Sequence, residues 1–250
     1  MAHGGDAVGH YRGMAVFVPL GLPGETVRIE VVEERQRFLR GRLLEVLVPS
    51  PERVTAPCTY FGRCGGCHWQ HVAYPAQLVY KQEAVRSLLE RTGHVRQPVV
   101  LSALGMADPW RYRNHVQLQR DDGGRIGYHA LRSHDVVPVE HCLLAHPLID
   151  ELLGALDIDG PGLDVIALRA GTATGEQMVI LEGVGAPPEL EVDLPISCLW
   201  WNEQGQVSVL AGDAQFHERL GDQLFTISGP SFFQVNTEQA AQLITSVAEA

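Results

Sequence analysis

Three of the chain's five cysteines, Cys58, Cys64 and Cys67, fall within ten residues around the pair Gly65-Gly66. No other stretch constrains the fold so strongly, because three thiols on one short loop must be taken up by a bond, a metal or burial. Cys142, far along the chain, is the natural fourth ligand of a compact soft-metal centre. The residues alone leave three readings open. A disulfide framework needs an oxidising compartment and usually an even count in a small secreted domain, whereas this chain has five cysteines in 250 residues and begins without the charged and apolar regions of a signal sequence. A structural zinc site pairs two close couples, and only Cys64 and Cys67 form one. A four-iron cluster takes four thiolates. Three from one loop plus one remote ligand can hold its corners, and Gly65 and Gly66 would let backbone N–H groups approach the sulfurs without a Cβ clash.

A chain of 250 residues with 45% hydrophobic content can bury a core in one to three domains. No apolar run approaches the roughly 18 residues that span a bilayer. The expectation is a cytoplasmic, reduced and monomeric protein. The net charge of −11 speaks against a nucleic-acid partner until the chain is divided at Cys142. Residues 1–142 hold 17 of the 19 Lys and Arg with 14 of the 30 Asp and Glu, a net +3, while residues 143–250 carry −14. A face that neutralises phosphates therefore belongs to the first half, the plainer alternative being a set of solvated arginines.

Short strands are expected at Met14 to Val18, at Thr26 to Val32 with Val27, Ile29 and Val31 on one face, and at Arg37 to Val48, separated by turn residues. Such spacing in under 50 residues suggests a small closed barrel of the oligonucleotide-binding kind. Arg35, Arg37, Arg40 and Arg42 alternate along a strand over Glu33 to Arg42 and form a candidate phosphate-binding face, with Arg111, Arg113 and Lys81 as further basic residues. Pro75 to Arg91 reads as a helix, with Leu78, Val85, Leu88 and Leu89 near one face to seat the cysteine loop. A hairpin follows at His115 to Arg120 and Arg125 to Ala130, around the turn Asp121 to Gly124. A mixed sheet continues through Leu163 to Arg169, Gln177 to Glu182, Leu199 to Asn202 and Val207 to Leu210. Asn236 suits a helix N-cap, with Gln239 at the third position and Ala240, Leu243, Ile244 and Val247 as an apolar stripe.

Cys58, Cys64-Gly65-Gly66-Cys67, Gln70-His71, Tyr74, Gln77-Leu78 and Lys81 together resemble the iron-sulfur motif of the bacterial RNA uracil-5 methyltransferases that modify large-subunit ribosomal RNA. Leu22 to Glu25, the arginine-rich strand and Pro51 to Val54 are similar to that family's RNA-binding TRAM domain. Tyr112-Arg113-Asn114 and Gly127-Tyr128 are similar to its central domain, and Phe225 to Asn236 to the opening of its catalytic domain. The resemblance implies an α+β chain: a TRAM-like barrel (residues 1–50), an iron-sulfur and central domain (51–225) and the start of a Rossmann-like methyltransferase domain (226–250). It implies a four-iron cluster on Cys58, Cys64, Cys67 and Cys142, S-adenosylmethionine as methyl donor with Gln234 contacting it, and ribosomal RNA as partner. Cys198 matches no ligand and is expected to be a buried core residue.

In that family a cysteine thiolate adds to C6 of a flipped-out uracil, which makes C5 the nucleophile that takes the methyl group. A base then removes the C5 proton and expels the cysteine. Neither that nucleophile nor a Gly-rich donor-binding turn is found among these 250 residues, so the expectation is a chain with capture functions and a largely missing catalytic domain. The alternative is a stand-alone RNA-binding iron-sulfur module without methyltransferase activity. An electron carrier is a third reading, disfavoured by the arginine-bearing barrel.

Overall fold

The computed structural model describes every residue except 3, 122, 156, 157, 159–161, 189–194 and 250. The chain divides into two compact units, Met1–Ala107 and Asp108–Ala250. In the first, β1 (Ala7–Tyr11) folds back on β2 (Met14–Val18) through Arg12 and Gly13. Both have positive φ, 50° and 82°, which gives a two-residue turn the twist that paired strands require. Strands β3 (Thr26–Glu34) and β4 (Phe38–Val48) pair antiparallel, and β4 runs parallel beside β2. The resulting order is β1-β2-β4-β3. Among the described residues no β1–β3 pairing closes this ladder, so the sheet differs from the closed barrel expected from strand spacing.

Val16, Val18 and Leu39 form the buried core of this sheet, with Met14, Ile29 and Leu43 packed against them. Ile29 lies close over Gly41, where a Cβ would stand 2.7 Å from Ile29 Cδ1 and 3.2 Å from its Cβ. The register slips between Val31 and Glu33. Val31 is exposed instead of joining Val27 and Ile29, while Glu33 is half-buried opposite Arg40. The continuous strand expected over Glu33 to Arg42 is instead the end of β3, a turn and the start of β4. Arg35 and Arg37 lie in the turn, where the Arg35 N–H donates to the Phe38 carbonyl at 2.9 Å.

Helix α1 (Tyr74–Arg91) begins with Pro75 in its first turn and ends with the Thr92 and Gly93 N–H groups on the Leu88 carbonyl, at 2.9 and 3.0 Å. Ala76 packs with Leu22 and Val72, with Trp69 and Tyr80 alongside. The Gln77 side-chain amide donates to the carbonyls of Trp69 (3.1 Å) and Val72 (2.9 Å). Only the first two turns of α1 therefore seat the cysteine loop. Val85, Leu88 and Leu89 are exposed, contrary to the expected apolar seat.

Residues 51–107 belong to the same compact unit as the first sheet. An ion pair ties the residues after Ser50 to that sheet. Arg53 meets both carboxylate oxygens of Glu25, whose side chain is fully buried, and donates to the Leu20 carbonyl at 2.8 Å. Glu25 also accepts the Leu22 and Ser50 N–H groups, at 2.9 and 3.2 Å. Burial pushes its carboxyl pKa up, but Arg53 and these two N–H groups outweigh burial and hold it below the ordinary value.

The second unit is built on a mixed sheet, as expected. Its strands are β5 (His115–Arg120), β6 (Ile126–His129), β7 (Val136–Pro138), then, after α2 (Pro147–Ala155), β8 (Leu163–Ala170), β9 (Gln177–Gly183), β10 (Ser197–Asn202) and β11 (Val207–Ala211). They lie in the order β11-β10-β9-β8-β5-β6-β7, every pair antiparallel except β9–β10. Asp122, in the expected β5–β6 turn, lies outside the described residues. A hairpin of β12 (Gln215–Leu220) and β13 (Gln223–Ser228) precedes α3 (Thr237–Ala248). Ala167, Met178, Ile180 and Leu199 of the sheet pack with Phe216 and Ile227 of the hairpin into one buried core. Fully burying side chains of this size stabilises the fold by about 1.5–3 kcal/mol each, so this contact fixes the hairpin on the sheet. Helix α2 adds Ile149, Leu152 and Leu153. Asn236 caps α3 as the sequence indicates, its Oδ1 accepting the Gln239 N–H at 3.0 Å. Ala240 is buried, but Leu243, Ile244 and Val247 of the expected apolar stripe are exposed. Among the described residues no helix is long and apolar enough to cross a membrane.

Candidate cysteine loop and exposed glutamine segment

Cys58, Cys64 and Cys67 lie on a loop wound by successive turns, the Phe61 N–H donating to the Cys58 carbonyl (3.1 Å) and the Cys64 N–H to the Tyr60 carbonyl (2.9 Å). All three side chains are half-buried. The Gly66 N–H approaches Cys64 Sγ at 3.4 Å, and the Gln70 amide donates to Cys67 Sγ at 3.2 Å while its oxygen accepts the Cys58 N–H at 3.3 Å. Trp69 anchors the loop from the other side, its indole N–H reaching the Gly5 carbonyl at 3.0 Å. His71 is buried 5.4 Å from the Phe61 ring centre. Burial, and secondarily the Arg53 charge, pull its pKa down to about 4 and keep it neutral.

Cys142 belongs to the second unit. Its N–H donates to Asp150 Oδ1 at 2.8 Å, and Asp150 Oδ2 meets His141 Nδ1 at 3.2 Å. Among the described residues no three His, Cys, Asp or Glu side chains converge on a metal-sized point. The donor chemistry of the loop nevertheless fits a soft metal or iron-sulfur group. N–H donors reach two of its three sulfurs, which is the environment that favours thiolate ligands.

The expected arginine face is largely paired with carboxylates. Arg35 meets Glu33 at 2.7 Å, Arg40 meets Glu33 at 3.2 Å and Asp6 at 3.8 Å, and Arg42 meets Glu30. Exposed ion pairs contribute little net stability, so a phosphate can exchange for a carboxylate here at small cost. Arg37 is exposed at the tip of the β3–β4 turn, and Lys81 on α1. Arg111 is exposed, its backbone held at φ 53° with its N–H on the Leu143 carbonyl at 3.0 Å. Arg113 is half-buried and its backbone pairs with Leu144 and His146.

The segment that carries Gln234 leaves β13 at Ser228 and enters α3 at Thr237. Gln234 is exposed, Phe232 is 83% exposed and Phe233 packs on the core. Beneath it lie charged groups that the sequence reading passed over. Arg169 is buried, donates to the carbonyls of Gly229 and Ser231 (2.6 Å for the latter) and lies 5.0 Å over the Phe216 ring. Burial lowers its pKa to about 10, and it stays charged. Glu218 has no exposed surface and accepts from the N–H groups of Thr172 (2.7 Å), Ala173 (3.0 Å) and Arg219 (2.9 Å) and the hydroxyls of Thr172 (2.8 Å) and Thr237 (3.0 Å). A carboxylate between inward-facing Phe216 and Leu220 was the signal available in the sequence. Cys198 is 1% exposed and burial raises its thiol pKa to about 11, so it is an inert core residue.

Residues 2–44 match the TRAM domain. The whole chain is 34% identical to a protein named an uncharacterized RNA methyltransferase of Halalkalibacterium halodurans, covering 62% of its length. It is also 34% identical to a protein of the same description in Caldanaerobacter subterraneus, covering 63% of it. The chain thus spans a little over three fifths of these relatives. The fold is similar to the crystal structure of Pyrococcus abyssi tRNA (uracil-54, C5)-methyltransferase in complex with S-adenosyl-L-homocysteine, with a TM-score of 0.73 at 23% identity over 98% of this chain and 62% of that one. Over the stretch it spans, the chain is similar to these RNA methyltransferase relatives, and its residues 2–44 match the TRAM domain.

Proposed function

We propose that the chain is the RNA-capturing and donor-side part of an S-adenosylmethionine-dependent methyltransferase acting on C5 of a uracil in 23S ribosomal RNA. The observation that carries this reading is similarity along the whole of this chain to about three fifths of proteins named RNA methyltransferases, together with the four-cysteine pattern on the loop and at Cys142. On this reading Arg35, Arg37, Arg40, Arg42, Arg111 and Arg113 contribute phosphate contacts, and the exposed Gln234 contacts the donor, which supplies the methyl group. Cys58, Cys64 and Cys67, with Cys142, would hold a four-iron cluster, which supplies a covalent tie within the chain and a one-electron couple. Gln70 and the Gly66 N–H hold two of those sulfurs in a donor-rich environment. The 250 residues alone bind without transferring methyl, because Cys198 is buried and every other cysteine is a proposed ligand.

The chemistry is tested with full-length protein, labelled donor and 23S ribosomal RNA carrying tritium at uracil C5. Methylation at C5 releases one tritium per methyl group gained; methyl incorporation without tritium release contradicts the assignment. The cluster is tested separately. Anaerobically purified protein is expected to hold about four irons on four cysteines, to lose them on Cys64→Ser and to keep them on Cys198→Ser. Stoichiometric zinc without iron contradicts the ligand reading. Replacing Arg37 and Arg42 together with alanine is expected to reduce the slope of log K against log salt for RNA binding by about 1.5, two phosphate contacts at roughly 0.7–0.9 each. An unchanged slope moves the RNA face away from the β3–β4 turn.

A further inference from the structure

Asn114 stands in a motif shared with the family's central domain, yet nothing above gives it work. It is 4% exposed and sits where the start of β5 meets the segment leading into α3. Its backbone N–H donates to the Val235 carbonyl at 2.9 Å and its carbonyl accepts the Ala170 N–H at 2.9 Å. The side-chain amide donates to the Gln234 carbonyl and to Thr237 Oγ1, both at 3.0 Å. Thr237 Oγ1 in turn donates to Glu218 Oε2, which also holds the N–H and hydroxyl of Thr172. One side chain therefore grips the residue bearing the exposed amide and the first residue of α3 together, and the buried Glu218 fixes the far end of the grip.

The consequence is directional. A main-chain carbonyl pinned at 3.0 Å, with the next residue's carbonyl pinned at 2.9 Å, leaves Gln234 little freedom except in its own side-chain torsions. Arg169 holds the same segment from its upstream end through Gly229 and Ser231. A contact residue on a chain segment is otherwise mobile, and a clamp of buried hydrogen bonds is what makes it rigid enough to bind without loss of ordering entropy. A solely structural role for Asn114 would be met by its backbone bonds. The side-chain amide, aimed at Gln234 and Thr237, is the part left to explain.

We infer that Asn114 is a positioning residue that sets the exposed amide of Gln234 toward the methyl donor, working through the Asn114–Thr237–Glu218 chain of hydrogen bonds. This rests on the donor-contact reading of Gln234, and the test separates the two. S-adenosyl-L-homocysteine is titrated calorimetrically into full-length protein and into the variants Gln234→Ala, Asn114→Ala, the double variant, Thr237→Ser and Thr237→Val, each checked for native unfolding behaviour. Gln234→Ala and Asn114→Ala are each expected to weaken binding about tenfold, the factor for loss of one buried or ligand-side hydrogen bond. The double variant is expected to be no weaker than either single one, because the two act as a unit. Thr237→Ser, which keeps the hydroxyl, is expected to bind as the parent does, and Thr237→Val as Asn114→Ala does. If Asn114→Ala is poorly folded, the Thr237 pair decides. Loss on Gln234→Ala with no loss on Asn114→Ala or Thr237→Val, or losses that simply add, overturns the positioning role and leaves the donor contact standing. No loss on Gln234→Ala overturns the donor contact and the positioning role with it.

Discussion

Glu218→Ala is expected to destabilise the second unit by about 3–5 kcal/mol, measured by urea unfolding at neutral pH. The carboxylate has no exposed surface and takes five hydrogen bonds. Removing it leaves three backbone N–H groups and two hydroxyls without that acceptor in a space too apolar to replace it cheaply. Burial pushes the Glu218 pKa up, but the N–H groups of Ala173, Arg219 and Thr172 outweigh burial and hold it below its ordinary value of 4.5. A depressed folded-state pKa gives stability that is fully present above 4.5 and is lost as pH falls through the folded value. The parent is therefore expected to lose more stability between pH 5 and pH 3 than Glu218→Gln, which has no charge to lose. A change of less than about 1 kcal/mol on Glu218→Ala, the size of an ordinary surface substitution, contradicts this role.

Arg53→Ala is expected to have an effect of similar size in the first unit, about 3–5 kcal/mol, because it strands a buried carboxylate. Glu25 would keep the Leu22 and Ser50 N–H groups but lose the only guanidinium that meets both its oxygens among the described residues. The expected signature is local: hydrogen exchange at the Leu22 and Ser50 amides accelerates by two orders of magnitude or more (from roughly 1.4 kcal/mol per tenfold). The pair Arg53→Met with Glu25→Gln is expected to recover most of the loss, since no charge is then left unpaired. Unaltered protection in Arg53→Ala would show that the Leu20–Glu25 turn and the residues after Ser50 are joined by packing alone.

Features written in local sequence were legible, and features created by distant pairing were not. The Asn236 cap with Gln239 at the third position is a four-residue signal, and it forms as read. The β5–β6 hairpin and strands β8 to β11 are short runs rich in apolar residues between glycine- and proline-bearing turns, and they too form where the pattern puts them. Helix α2 is hard to see in the sequence although Pro147 opens it and Ile149, Leu152 and Leu153 share a face, because nine residues are too few for a helical period to stand out. The β12–β13 hairpin is hidden because Glu218 occupies an inward position and breaks the apolar alternation. Its partners Thr172, Ala173 and Thr237 stand 46, 45 and 19 residues away. The pairing of Arg40 with Glu33 depends on the register slip in β3, and that of Arg42 with Glu30 on the β3–β4 register itself, neither of which a local pattern announces. The arginines were legible as charge, but their neutralisation was not.

The most direct test of the uracil-C5 reading is nucleoside mass spectrometry of large-subunit ribosomal RNA from cells with and without the gene. The expected result is the loss of one 5-methyluridine from 23S ribosomal RNA on deletion, its return with the full-length gene, and weaker return with Gln234→Ala. Unchanged 5-methyluridine in that RNA, or its loss from transfer RNA alone, would contradict the proposed substrate.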